Sequence, residues 1–498
     1  MNQQSEGGEL REAKCLRKPM AVLFVFLFIR LIVMVYLPLS DPSECRYGNM
    51  AANMAKTGNF IEPQFIHDGE MQCFIGKPPL FFQASAVCSE VLGQNAFAVR
   101  LPSLICALLT VWMVFSAVRK TATRKSAWAA ALLCFLSPLF YIFSGLCLTD
   151  MMLTFCIVGG ILSYANFSDV RCRANIKLHS VLFFIFLALG MIVKGPIAIV
   201  SIGLPVFIFV AIGKRWGELR NHAWILGSAA FALIALPWFV IMSQRNPEFL
   251  KYFFYNENFG RFFLKDYGDK FGNGHDSFRG VALLLSLAVN LPALLPLGRL
   301  AVAGRLRLAG LCKNPTECMA IIAAVALTAF WCPTNRVPIS YLLPTIPFFA
   351  IFAALKTSEA EYMDDVRELR FLSRQAVVWG GITACVLVVA TVFCASLTNK
   401  MPTAFYRLVR SKMDTDDKLA KTKLYFISRT PYSAEFYLGD RVQNHPDEKL
   451  TPSITNSAPY LMVVTDRKLR ENDYKPNREL IVRYGGWNLF APDRKEVQ

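Results

Sequence analysis

Apolar positions gather into long blocks parted by short charged connections. The first block, residues 19–37, reads PMAVLFVFLFIRLIVMVYL. About twenty such residues, wound as a helix, reach across the hydrocarbon core of a bilayer. Eleven blocks of this kind predict spans at 19–37, 100–118, 127–144, 150–166, 178–193, 195–213, 222–243, 277–297, 317–331, 338–356 and 375–397. Several are short, and the 150–213 region divides in more than one way. Basic residues precede the first block, as in a signal peptide, but no small-residue cleavage site follows, so it reads as a retained helix.

Two stretches outside the blocks have their own pattern. In ECRYGNMAANMAKTGNF, Tyr47, Met50, Ala51 and Met54 recur at helical spacing and Gly58 stands where a helix stops. This predicts an amphipathic helix lying along the membrane interface. PPLFFQASAVCSEVLG is apolar but interrupted, too short and polar for a span. Residues 398–498 are polar, with strand-like KLYFISRT and YLMVVTDR and a helix-like YSAEFYLGD between them. They predict a small α/β domain. The chain thus divides into a transmembrane part, 1–397, with long loops at 38–99 and 244–276, and a tail, 398–498.

Charge orients the blocks. The amino terminus carries Arg11, Lys14, Arg17 and Lys18, and every second connection is basic: Arg119, Lys120, Arg124 and Lys125, then Arg171, Arg173 and Lys177, then Lys214, Arg215 and Arg220. The series continues with Arg299, Arg305, Arg307 and Lys313, then Lys356, Arg367, Arg370 and Arg374. Basic loops stay in the cytoplasm. The amino terminus is therefore expected there, and eleven spans put the tail outside. The net charge of +17 follows from these loops and does not point to nucleic acid. Composition agrees: 54% of residues are hydrophobic and 18% charged, unlike a soluble domain. Most of the 14 cysteines sit in apolar runs and read as small apolar side chains. Cys45 and Cys73 share one loop, and whether they pair stays open. No CxxC pair or HExxH motif suggests a metal site.

Seven pieces in order carry a family resemblance over about residues 20–350: DPSECRYGNMAANMAKTGNF, GKPPLFF, FAVRLPSLICALLT, LTDMMLTF, VKGPIA, NPEFLKYFFYNENFGRF and SYLLPTIP. The chain resembles the GT-C polyprenyl-phosphate-dependent glycosyltransferases, above all the aminoarabinose lipid A transferase branch, related to protein O-mannosyltransferases. The resemblance implies an α-helical polytopic membrane protein with about 11–13 transmembrane helices, interfacial helices and a small C-terminal α/β extracytoplasmic domain. It implies transfer of a sugar from a lipid phosphate at the outer face, with the active site in the first outer loop.

The resemblance assigns residues. Asp41 or Glu44 would activate the acceptor; each also reads as an interfacial acid capping the next helix. Family members often show Asp-Glu-x-Arg-Tyr, whereas SECRY has Ser43 at that first acid, with Asp41 two residues earlier. Arg46, Lys77, Lys194 and Arg261 would bind the lipid phosphate. Lys194 stands alone between apolar runs, where an ionisable residue is functional by default; Arg261 has basic neighbours that suggest a solvated loop instead. Asp150 is either an active-site acid or a helix cap. Tyr341 and Arg336 flank the last motif as contacts for phosphate or sugar, with an aromatic belt the alternative for Tyr341. Relatives hold a divalent ion with a glutamate before Lys-Pro and a histidine after Glu. Here those places are Gly76 and Asn258, so no metal cofactor is expected.

The expectation is an inner-membrane, inverting glycosyltransferase that takes a polyprenyl-phosphate sugar and modifies lipid A, core sugar or another envelope glycan. A protein O-mannosyltransferase is the rival enzyme. A transporter or lipid flippase is the rival of another class, and no paired halves of the kind transporters show are present.

Overall fold

The computed structural model describes residues 2–67, 70–260, 278–308, 310–311, 314–334, 337–361, 367–397 and, of the tail, 403–491 without 417–418, 420–421, 423, 428–429, 440–441, 446–460, 472–478 and 485. Arg261 and Arg336 lie outside the described residues.

Among the described residues, seven helices are long and apolar enough to cross a bilayer: Lys18–Tyr36, Ala96–Thr121, Thr149–Phe167, Val170–Lys194, Trp224–Arg245, Ile339–Ala360 and Arg367–Phe393. Val281–Val289 and Leu291–Val302 form an eighth as a pair bent by 84°. The Asn290 side chain sits at that bend and donates to the Ser286 carbonyl and the Thr345 hydroxyl. Eleven spans were expected. The other three are helices below that length: Ile197–Ile212, Pro315–Trp331, and a predicted span split at Ser137 into Arg124–Leu136 and Pro138–Phe143. Pro138 has no N–H to continue the preceding ladder, which explains the split. The protein is a mostly helical, multi-pass membrane protein.

The chain forms two compact units. The helical unit holds residues 1–31, 75–81 and 101–386; the loop–tail unit holds 32–74, 82–100 and 387–498. In the helical unit, α7 (Thr149–Phe167) lies against α8 (Ile176–Lys194) and α9 (Ile197–Ile212).

In the loop–tail unit, α2 (Ser43–Thr57) is the helix expected from the methionine spacing. Gly58 ends it in the left-handed conformation, its N–H bonded to the Met54 carbonyl. Its residues 44–52 are buried, so it is a packed element. A short antiparallel hairpin follows, β1 (Gln64–His67) with β2 (Glu70–Cys73), then α3 (Leu80–Leu92). The tail contains a five-stranded sheet. Strands β3 (Leu424–Ile427), β4 (Val442–His445), β5 (Leu461–Thr465), β6 (Leu480–Tyr484) and β7 (Trp487–Phe490) stand in the order β4-β3-β5-β7-β6. Helix α17 (Tyr432–Leu438) connects the parallel pair β3 and β4, and α16 (Thr403–Thr415) covers the core with Phe405, Tyr406 and Val409. The strand-like and helix-like stretches of the sequence are therefore a sheet and its helix. Gly48 of α2 meets α17 closely: a Cβ there would lie 3.0 Å from the Phe436 ring. Cys45 and Cys73 form no disulfide; both are thiols, and Cys45 donates to the Leu39 carbonyl.

Candidate active site

Two short motifs build a pocket in the helical unit. LTDMM starts α7, placing Asp150 in its first turn; VKGP ends α8, placing Lys194 in its last. An acid at a helix amino end and a base at a carboxyl end each complement the helix dipole. Gly195 turns the chain at φ +89°, a conformation that L side chains rarely adopt, and a Cβ there would strike the Phe253 ring at 2.5 Å. The Lys194 Nζ donates to Asp150 Oδ1 at 2.8 Å, with both side chains 12% exposed. Asp150 also bonds with Ser340, and Lys77 lies within electrostatic reach of it. The cap position of α7 is Leu148, so Asp150 is not the N-cap residue of that helix.

The Lys194 ammonium lies 4.8 Å from the centre of the Tyr341 ring, and Tyr341 packs on Trp331 at 4.4 Å. These groups line one cleft of about 650 Å³, its open mouth included, together with Lys77, Gly76, Glu257 and Asn258. Gly76 and Asn258, the two positions the family resemblance singles out for metal ligands, thus line the same cleft. Among the described residues no three His, Cys, Asp or Glu side chains gather as a metal site. The donors at those two places do not fit a divalent ion: a glycine has no side chain, and the Asn258 amide donates to the Phe253 carbonyl.

The loop–tail unit holds the other described candidates. Glu44 accepts from Arg100 through Nε at 3.0 Å and Nη2 at 2.9 Å, and from the Ser40 N–H and hydroxyl. Arg100, fully buried, also donates to the carbonyls of Met34, Leu37 and Pro38. Arg46 is held among the rings of Tyr47, Phe74 and Tyr432 at 5.4–5.9 Å. Asp41 accepts from the backbone N–H of Ser433 at 3.1 Å. Asn49 donates to the Tyr432 carbonyl at 2.9 Å and to Glu435 at 2.8 Å. Burial first, and then the charge of Asp41, push Glu435 up to about 8.

Sequence reasoning gave no role to Arg100, Asn49, Glu435 or Trp331. Arg100 had a usable signal: a lone arginine at the head of an apolar block. The others had none.

The helical unit, with lysines and acids lining one cleft, defines a multi-pass membrane protein with a candidate ligand site. Residues 16–253 match the family model PMT, described as Dolichyl-phosphate-mannose-protein mannosyltransferase. Two curated relatives are undecaprenyl phosphate-alpha-4-amino-4-deoxy-L-arabinose arabinosyl transferases. That of Enterobacter sp. (strain 638) is 26% identical over 251 residues, covering 50% of this chain and 44% of its own. That of Proteus mirabilis (strain HI4320) is 30% identical over 251 residues, covering 49% and 44%. The matched part thus spans less than half the length of these relatives. The crystal structure of ArnT from Cupriavidus metallidurans bound to undecaprenyl phosphate has the same fold: TM-score 0.76 at 17% identity, covering 96% of this chain and 98% of that one.

Proposed function

We propose that this protein is a membrane glycosyltransferase that moves a monosaccharide from a polyprenyl-phosphate carrier to an acceptor outside the cytoplasm, lipid A or another envelope glycan. The observation that carries this reading is the cleft in which Lys77, Lys194, Asp150 and Tyr341 meet. As the bond from the anomeric carbon to the phosphate oxygen breaks, charge builds on the phosphate. Fixed ammonium groups stabilise that charge more in the transition state than before it. Lys77 and Lys194 take this role, with Arg46, Arg261 and Arg336 assigned as further phosphate or sugar contacts. Asp150 holds the Lys194 ammonium, and the Tyr341 ring supports it from another side.

Asp41 is the base that takes the acceptor's proton, and attack proceeds with inversion at the anomeric carbon. Glu44 is the weaker choice, because its carboxylate already serves Arg100 and Ser40. The protein sits in the inner membrane with its amino terminus in the cytoplasm and its tail outside, as the basic loops suggest. No metal takes part. The description of the matched family favours one rival acceptor, a protein hydroxyl.

The deciding experiment is mass spectrometry of lipid A, core oligosaccharide and exported glycoproteins from a strain lacking the protein. The strain is complemented with wild type or with Asp41→Asn. A sugar mass restored only by the wild type supports the reading and identifies the acceptor. No change in any fraction, together with no transfer from a labelled lipid-phosphate sugar by purified protein, overturns it in favour of transport.

A further inference from the structure

Within the helical unit, the irregular segment that leads into α7 is held from two sides. Arg30 lies inside the span Lys18–Tyr36 and is 1% exposed. An ionisable side chain at such a place marks a function by default. Its Nη2 donates to the Ile142 carbonyl at 2.5 Å, and its Nε reaches the Ser144 hydroxyl at 3.4 Å. That hydroxyl gives its own proton to the Tyr141 carbonyl, so its oxygen is turned to accept. Tyr141 donates in turn to the Phe26 carbonyl at 2.7 Å, one turn before Arg30. Gly145 leaves room for the guanidinium: a Cβ there would stand 2.5 Å from its Cζ. From the other side Ser103, on the helix Ala96–Thr121, donates to the Leu146 carbonyl at 2.6 Å.

We propose that Arg30, with Ser103, is a positioning residue for the pair of Asp150 and Lys194: the two clamp residues 142–148 by their carbonyls and so fix where α7 begins. This deepens the proposed function and rests on its assignment of Lys194 to the lipid phosphate.

Residues 144–148 are turns and bends, so no continuous backbone ladder fixes them. Side chains from two other helices hold the segment instead. Asp150 follows two residues after Leu148, in the first turn of α7, and meets the Lys194 Nζ at 2.8 Å. A hydrogen bond of that length is lost when its ends part by about 1 Å. Movement of the segment on that scale frees the Lys194 ammonium from Asp150. A misplacement of that size at a reacting centre can cost about 10²-fold in rate. The guanidinium is also specific to the task. A lysine at position 30 carries the same charge but lacks the planar fork that serves Ile142 and Ser144 together.

The test uses full chains in lipid nanodiscs: wild type, Asp150→Asn, Arg30→Met, Arg30→Lys and Arg30→Met/Asp150→Asn. Acetylation of each lysine by an amine-reactive ester is followed by mass spectrometry, beside transfer from a labelled lipid-phosphate sugar. In wild type the ion pair protects Lys194. Its labelling should rise in Asp150→Asn and reach about the same rate in both Arg30 variants. It should rise no further in the combined variant, the sign that both changes act through one contact. Lys356, 3% exposed in the same unit and paired with Glu317 and Glu359, should keep its wild-type rate throughout. A merely structural loss would expose it too. Transfer should fall about 10²-fold in Arg30→Met, and by no more than about twofold further when Asp150 is already replaced. Arg30→Lys keeps the buried charge and carries the comparison if Arg30→Met does not fold. Wild-type labelling of Lys194 in the Arg30 variants overturns the proposal, and so does a joint rise at Lys194 and Lys356. Faster Lys194 labelling with undiminished transfer removes Asp150 and Lys194 from the reaction instead, and leaves the clamp in place. The labelling comparison does not depend on transfer and still decides what Arg30 holds.

Discussion

The Glu44 carboxylate and the Arg100 guanidinium, 56 residues apart, form a buried two-bond fork, Nε to Oε1 and Nη2 to Oε2, with side-chain exposures of 3% and 0%. Arg100 spends its remaining donors on the carbonyls of the segment that precedes α2. Removing one partner leaves a charge with no counter-ion, at a cost of about 3–5 kcal/mol. Arg100→Met should lower the melting temperature steeply, and the double variant Arg100→Met/Glu44→Gln should recover part of the loss. A single variant as stable as wild type would show that the fork contributes nothing.

The lysines of the cleft carry a second prediction. Lys77→Ala and Lys194→Ala should each reduce transfer by at least about 10²-fold, the scale of losing one fixed charge donor at a reacting centre, while the protein still inserts and purifies. Lys194→Ala also strands Asp150, so Lys194→Met/Asp150→Asn separates charge from stability. That pair should melt near wild type and remain inactive. Full turnover by Lys77→Ala and Lys194→Ala would remove both from the phosphate site.

Metal removal is a third. Because Gly76 and Asn258 stand where the family resemblance places a glutamate and a histidine, transfer should be unchanged after treatment with a chelator and dialysis. A large loss restored by added zinc or magnesium would contradict this.

The meeting of α2 and α17 supplies a fourth. A Cβ on Gly48 would stand 3.0 Å from the Phe436 ring and 3.1 Å from Leu39. Gly48→Val should cost about 1–3 kcal/mol from overpacking, read as a lower melting temperature. Phe436→Leu in the same chain should return part of it. If the second substitution makes matters worse, the strain lies elsewhere.

Much of the fold was legible because its cues are local. The methionine spacing and Gly58 announced α2, the strand-like runs announced β3 and β5, and the apolar blocks became helices. The lengths were less legible. Ile197–Ile212 and Pro315–Trp331 show apolarity over too few residues for the span criterion, and Pro138 divides a block that composition treats as continuous. At the cleft, LTDMM and VKGP marked Asp150 and Lys194 individually, but their 2.8 Å bond depends on α7 and α8 running side by side. Glu435 was out of reach altogether. A glutamate in a polar tail looks solvated, and only folding carries it to Asn49, 386 residues earlier.

The loop–tail unit is assembled from residues 32–74, 82–100 and 387–498. Synthesis runs from the amino end, so the ribosome must make almost the whole chain before Ser433 exists to receive Asp41, or Phe436 to cover Gly48. The opening loop therefore waits, unfinished, for the final segment. The bond from the Ser433 N–H to Asp41 and the packing of Phe436 on Gly48 form only once the last fifth of the chain has been translated.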